Sequence, residues 1–285
     1  MCPSAPPPLL PSVPGPIGVF DSGFGGLTIF KRVRAELPDY DYIYLGDNAR
    51  SPYGNRSFEV VLGFTLEGVK ALFERGCPLV IIACNTASAK ALRSIQQGYL
   101  AATCPDRRVL GVIRPTVEML ALHSRTRSIA LWATQGTVLS NSFAIEIDKY
   151  ASGLRLVQQA CPLLVPLVEA GELGGDGLRF FVRKYWELTA RRAQDLDTLL
   201  LACTHYPLLR DTIRDVVPPS VSILAQDDLV APSLASYLRR HPEMERRLSR
   251  SGGCHYLTTD QCDHFERLAH VFMGQPIVSE KVEIG

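Results

Sequence analysis

The chain lacks a long apolar run, since no stretch approaches the ~20 residues needed to cross a bilayer. No membrane span is therefore expected. A dominant charge is also missing. The 30 Lys and Arg are balanced by 29 Asp and Glu, giving a formal net charge of +1. That leaves no electrostatic footprint for nucleic acid. There is no C-x₂₋₄-C pair and no H-E-x-x-H, so these zinc patterns are absent and no metal is expected. The dinucleotide fingerprint G-x-G-x-x-G is not matched either. In Asp21-Ser22-Gly23-Phe24-Gly25-Gly26 the glycine spacing is wrong and the acidic residue precedes the glycines.

What remains is an ordinary globular composition. Hydrophobic residues make up 46% and charged residues 21% of 285, enough for one large or two modest domains. Residues 1–16 hold seven of the 20 prolines. They have neither the cationic start nor the apolar core of a signal peptide. They read as a disordered tail, and the chain is expected in the cytoplasm. The eight cysteines then read as reduced thiols rather than as a disulfide framework.

Two segments look like copies of each other. Leu79-Val80-Ile81-Ile82 runs into Ala83-Cys84-Asn85-Thr86, and Leu199-Leu200-Leu201 into Ala202-Cys203-Thr204-His205. Each apolar run reads as a buried parallel strand, and each is followed by the start of a helix. Each cysteine thus stands at the carboxyl end of a strand, where open α/β sheets place ligands. Two such units predict two α/β halves, each offering one thiol to a shared ligand. Further strands are predicted at Ile17–Phe20, Tyr42–Leu45, Val109–Ile113, Ile129–Ala133, Ser222–Leu224 and His255–Leu257. Helices are predicted over 58–75, from Cys84 to Tyr99, from Gly177 to Gln194, over 231–240 and over 260–272. The alternation argues for parallel sheets of the βαβ type.

Each candidate has a plainer role beside the chemical one. Asp21 could simply cap a strand-to-helix turn. A lone cytosolic cysteine is most often a small buried hydrophobe, but the matched contexts of Cys84 and Cys203 favour chemistry. His205 lies two residues from Cys203 and can share its side while the chain stays extended. Glu169 could be a solvated helix end. Cys2, Cys77, Cys104 and Cys161 show no partner pattern. Cys254-His255 and Cys262-Asp263-His264 read as core and surface filler.

Taken together, the motifs carry a resemblance. Phe20-Asp21-Ser22-Gly23, Pro52-Tyr53-Gly54, Ala83-Cys84-Asn85-Thr86-Ala87-Ser88, Ala133-Thr134-Gln135-Gly136-Thr137, Cys161-Pro162-Leu163 through Glu169, and Ala202-Cys203-Thr204-His205-Tyr206-Pro207 follow one another in order. The chain resembles the glutamate racemases, cofactor-independent enzymes that make D-glutamate for peptidoglycan. Two places depart from the pattern. Thr116 stands where members often carry glycine, and Asp227-Asp228-Leu229 where Asp-Ser-Ala or Asp-Ser-Gly is familiar.

The resemblance implies two pseudo-symmetric α/β domains with the substrate in the cleft between them. The first would comprise residues 17–112 and 226–285, and the second, inserted, residues 113–225. It implies Cys84 and Cys203 as the catalytic pair, with Asp21 beside the first and Glu169 and His205 beside the second. Substrate contacts would come from Asp21, Ser22, Tyr53, Gly54, Asn85, Thr86, Thr204 and His205, with Thr134 and Thr137 near the carboxylate. Asn85, Thr86 and Thr204 are expected to help hold that carboxylate. No cofactor is implied, glutamate is the implied substrate, and a homodimer the implied assembly. Two alternatives stand beside this: an aspartate racemase of the same superfamily, which would typically carry Thr-Glu where this chain has Thr204-His205, and a non-catalytic two-domain solute-binding protein.

Overall fold

The computed structural model describes residues 13–193 and 195–285. Ten strands among them form two sheets. The first has six strands: β1 (Ile17–Asp21), β2 (Tyr42–Gly46), β3 (Leu79–Ile82), β4 (Arg108–Gly111), β9 (Cys254–Thr258) and β10 (Ser279–Lys281), in the order β10-β9-β2-β1-β3-β4. The second has four: β5 (Ser128–Ala133), β6 (Arg155–Ala160), β7 (Thr198–Leu201) and β8 (Ser222–Ala225), in the order β6-β5-β7-β8. Every pairing is parallel. The chain leaves the first sheet after β4, builds the second, and returns at β9.

The central strands explain this arrangement. All five residues of β1, all four of β3 and all four of β7 are buried, as expected of strands covered by helices on both faces. Local signals set the helix ends. Ser57 Oγ accepts from the Val60 N–H at 3.3 Å and caps the helix Phe58–Glu74. Gly274, at φ +73°, ends the helix Cys262–Met273 in the left-handed conformation. In the second sheet, the Trp132 indole is fully buried, and its N–H donates to Thr189 Oγ1 at 2.9 Å. That bond ties the helix Gly175–Ala190 to β5.

Several boundaries differ from the sequence expectation. The strand placed at Val109–Ile113 stops at Gly111, because Ile113 opens the helix Ile113–His123. The helix expected from residue 231 begins at Asp227. The helix after Cys84 is broken into Asn85–Lys90, Leu92–Ser94, a π-helical turn at Ile95–Leu100, and Ala101–Thr103. β10 was not anticipated. The tail expected over residues 1–16 lies outside the described residues as far as position 12. Its end is anchored rather than loose: Gly15 N–H donates to Arg247 O, and Gly15 O accepts from Ser249 N–H, both at 2.9 Å.

Asp197, just before β7, fastens the second sheet at the strands' amino end. Its carboxylate accepts from the Ser124 hydroxyl and from the Arg125 and Thr126 N–H groups, each at 2.7 Å, and from the Thr198 hydroxyl at 2.9 Å. Burial favours the neutral acid, but these bonds outweigh it and hold the pKa down to about 2. A depressed carboxylate stabilises the fold above its unfolded value near 3.8 and loses that contribution as pH falls through about 2. Asp197→Asn is therefore expected to cost about 1–3 kcal/mol at neutral pH. Thermal unfolding from pH 7 down to 2 should show the gap between variant and parent narrowing below pH 4.

Candidate active site

Both cysteines sit where their strands end. Cys84 follows β3, and Cys203 follows β7; they are 6% and 5% exposed. One cavity of about 140 Å³ is lined by both. Its wall also takes Ser22 after β1, Thr134 after β5 and Cys161 after β6. The carboxyl ends of strands from both sheets thus meet at a single pocket. A larger cavity, about 600 Å³, lies elsewhere, beside the helices Ile113–His123 and Asp227–Arg240, and neither cysteine lines it.

The surroundings of the two thiols differ. Cys84 Sγ accepts from the Ala87 N–H at 3.4 Å, and Ser22 Oγ lies 3.2 Å away. Burial, reinforced by the nearby Asp21, pushes this thiol up to about 12. Asp21 is itself 1% exposed. Burial raises its pKa against the opposing pull of the nearby Gly26 and Gly23 N–H groups. Its Oδ2 accepts from Gly23 N–H at 2.9 Å, while Oδ1 is buried without a partner.

On the other side, His205 Nδ1 lies 3.9 Å from Cys203 Sγ, and Nε2 lies 3.0 Å from Glu169 Oε1. Burial works against a charged ring. The hydrogen bonds to Cys203 and Glu169 outweigh it and hold the imidazole up to about 10. The ring is packed edge-on against Phe272, with centroids 5.5 Å apart at 89°. One thiol therefore has a buried carboxyl for a neighbour, and the other an imidazolium.

Contacts between the two sheets' turns hold this pocket. Gly25 admits no side chain, since a Cβ there would stand 2.2 Å from Thr204 Oγ1 and 2.4 Å from His205 Nδ1. Thr28 Oγ1 donates to the Thr204 carbonyl at 3.0 Å. Thr86 Oγ1 lies 2.9 Å from Thr134 Oγ1, which lies 3.1 Å from Thr137 Oγ1. Gly136 N–H donates to Gly54 O at 2.7 Å. Among the described residues no group of three or more His, Cys, Asp or Glu could hold a metal ion, and no helix is long and apolar enough to cross a membrane.

Comparison with known proteins matches residues 27–229 to the family described as Asp/Glu/hydantoin racemase. The chain belongs to this racemase family. It is 39% identical to a glutamate racemase from Jannaschia sp., over 93% of this chain and 99% of the relative. Among solved structures, a glutamate racemase from Bacillus anthracis superposes with a TM-score of 0.85 at 31% identity, covering 94% of this chain and 97% of that one. A glutamate racemase from Francisella tularensis, solved in complex with D-glutamate, gives 0.83 at 29%, with the same coverage. The α/β architecture with helix-flanked parallel sheets is the one seen in these racemases.

Most residues singled out from the racemase motifs converge here. Ser22, Tyr53, Gly54, Cys84, Asn85, Thr86, Thr134, Glu169, Cys203, Thr204 and His205 all line the small cavity. Asp21 and Thr137 do not; they are buried next to residues that do. The Tyr53 hydroxyl is engaged by Asp47. The Asp47 carboxylate also takes Arg50 Nε at 2.8 Å and the Thr259 hydroxyl at 2.9 Å. Cys161, for which the sequence offered no role, forms part of the wall. Its place one residue past β6 was the available signal. Asp227 and Asp228 open a helix, and Asp228 pairs with Arg32 at 3.0 Å and Arg210 at 2.7 Å.

The Glu169–His205 pair can be read directly. Nitrogen-15 spectra of the imidazole should show the charged ring well above pH 6.5, the ordinary midpoint, up to about pH 10. Glu169→Gln removes an opposing charge, so the midpoint should fall by at least about one pH unit. An unchanged midpoint would show that Glu169 does not hold the proton there.

Proposed function

We propose that this protein interconverts L- and D-glutamate by a two-base mechanism that uses Cys84 and Cys203 and no cofactor. The observation that carries the proposal is the placement of two thiols, from the ends of two different sheets, on one cavity of about 140 Å³. The likeness to glutamate racemases supports the substrate. Thr204-His205, where the aspartate alternative would typically carry Thr-Glu, supports it as well.

In the proposed reaction from L-glutamate, Cys203 acts as base. The His205 ring, held charged, stands 3.9 Å from its sulfur. The α C–H bond breaks, its electron pair stays on the substrate as a carbanion, and an S–H bond forms at Cys203. On the opposite face the Cys84 S–H bond breaks and its proton goes to the α-carbon. Cys84 suits the acid role in this direction, because its buried thiol holds its proton up to about 12. The reverse direction exchanges the roles. Asp21, with its raised proton affinity, stands on the Cys84 side to take up that thiol's proton. Hydroxyls of Ser22, Thr86, Thr134 and Thr204, with the backbone at Tyr53 and Gly54, are assigned to substrate binding, together with Asn85 and His205. Thr137 supports Thr134.

The two sheets support a division into units of residues 17–112 with 226–285, and 113–225. The family likeness supports a cytoplasmic homodimer that supplies D-glutamate to peptidoglycan.

Glutamate incubated in D₂O without added cofactor should racemise and take deuterium at the α-carbon. Cys84→Ser and Cys203→Ser should each lose at least ~10²-fold in rate, the scale of a positioned acid or base. Cys77→Ser, away from the cavity, should keep most of it. Glutamate should be preferred over aspartate by at least ~10²-fold in kcat/KM. His205→Asn should slow turnover from L-glutamate more than from D-glutamate. Parent-like activity in Cys84→Ser would overturn the mechanism, and binding of glutamate without deuterium uptake would favour the solute-binding alternative.

A further inference from the structure

A buried row of side chains joins the cavity wall to both places where the polypeptide passes between the sheets. Val112 lies between β4 and the helix Ile113–His123, and Gln226 between β8 and the helix Asp227–Arg240. A main-chain carbonyl can only accept. That of Val112 accepts from Thr116 Oγ1 at 2.7 Å and from Gln226 Nε2 at 3.4 Å. The Thr116 proton is thereby used, so its oxygen accepts from Gln226 Nε2 at 3.0 Å. With its amide nitrogen committed, Gln226 has only Oε1 left for Asn85, and Oε1 accepts from Asn85 Nδ2. Asn85 keeps Oδ1, which is buried and has no partner. Turning the Gln226 amide over would set its oxygen against the Val112 carbonyl, at the cost of an unmade buried hydrogen bond. Asn85, Thr116 and Gln226 are 3%, 0% and 2% exposed, so no bulk water competes for these bonds.

We propose that Gln226 and Thr116 are positioning residues that fix the Asn85 amide so that it offers an acceptor, Oδ1, to the ammonium group of the substrate. This rests on the amino-acid racemase function proposed above. Asn85 lines the cavity beside Cys84. An α-ammonium brings three donors and no acceptor, whereas a carboxylate brings acceptors only. A free Oδ1 therefore fits the first and repels the second. The Asn85 side chain is accordingly assigned to the ammonium, not to the carboxylate it was expected to help hold. Thr116, one of the chain's two departures from the racemase pattern, supplies the hydroxyl that carries the direction set at the Val112 carbonyl on to Gln226 at 3.0 Å.

The test compares D-glutamate with glutarate, which has the same two carboxylates and no ammonium. On the full chain, Gln226→Leu and Thr116→Val should each raise the KM of D-glutamate at least ~10-fold, the size of one lost charge-assisted hydrogen bond, and leave the inhibition constant of glutarate unchanged. Thr116→Ser keeps the hydroxyl and should restore the parent's preference. If Gln226→Leu does not fold, the Thr116 pair carries the measurement alone. Equal weakening of both ligands, or of neither, in a chain whose parent racemises glutamate would overturn the role given to Gln226 and Thr116 and leave the two-thiol mechanism standing. A parent that neither turns over glutamate nor binds glutarate would overturn the reading of the site and this inference with it.

Discussion

Both sulfurs of this cavity are almost deprived of water, and a charge formed there is costly to hold. The rest of the site can be understood as an answer to that cost. A carboxylate or thiolate placed in an apolar interior is expensive unless a partner offsets its charge. On the Cys203 side the offset is the imidazolium of His205, kept charged by Glu169. On the Cys84 side the neighbours are a hydroxyl and a carboxyl that burial also pushes toward neutrality. The halves share a strand-to-turn geometry and differ in charge. A base and an acid can therefore face one carbon at the same pH, the arrangement a two-base proton transfer needs.

Contacts that cross from one sheet's turns to the other's hold the two thiols on one cavity. Gly25 lets a turn of the first sheet approach Thr204 and His205 closely, and Thr28 bonds the Thr204 carbonyl. The Thr86–Thr134 contact and the Gly136–Gly54 hydrogen bond tie the opposite rim. These contacts set the distance between the two rims, and small displacements in a site of this kind are costly to rate.

Much of this was legible in the chain. Apolar runs ending in Ala-Cys-Asn-Thr and Ala-Cys-Thr-His marked β3 and β7, because buried parallel strands leave a near-continuous hydrophobic signal. Position at a strand's carboxyl end then marked the thiols. What stayed hidden depends on partners distant in sequence. The Tyr53 hydroxyl is committed to Asp47, and Asp47 is held in part by Thr259, 212 residues away. Gln226 has no local pattern; its meaning comes from Asn85 and Thr116, 141 and 110 positions distant. β10 is three residues long with mostly exposed side chains, so no periodicity announced it. Ile113 continued an apolar strand-like run, yet it opens a helix where the chain turns out of the first sheet.

The unequal company of the two sulfurs also bears on chemical damage. Oxidants attack thiolates, and the first product, a sulfenic acid, forms where the thiolate is best stabilised. An imidazolium stands by Cys203, whereas burial and a nearby carboxyl keep Cys84 in its protonated form. Both sulfurs are almost closed to solvent, so an oxidant has to enter the cavity itself to reach either. Under the proposed mechanism a single oxidised sulfur would remove one of two proton carriers, and both directions of the reaction would be lost together, with half of the machinery still intact.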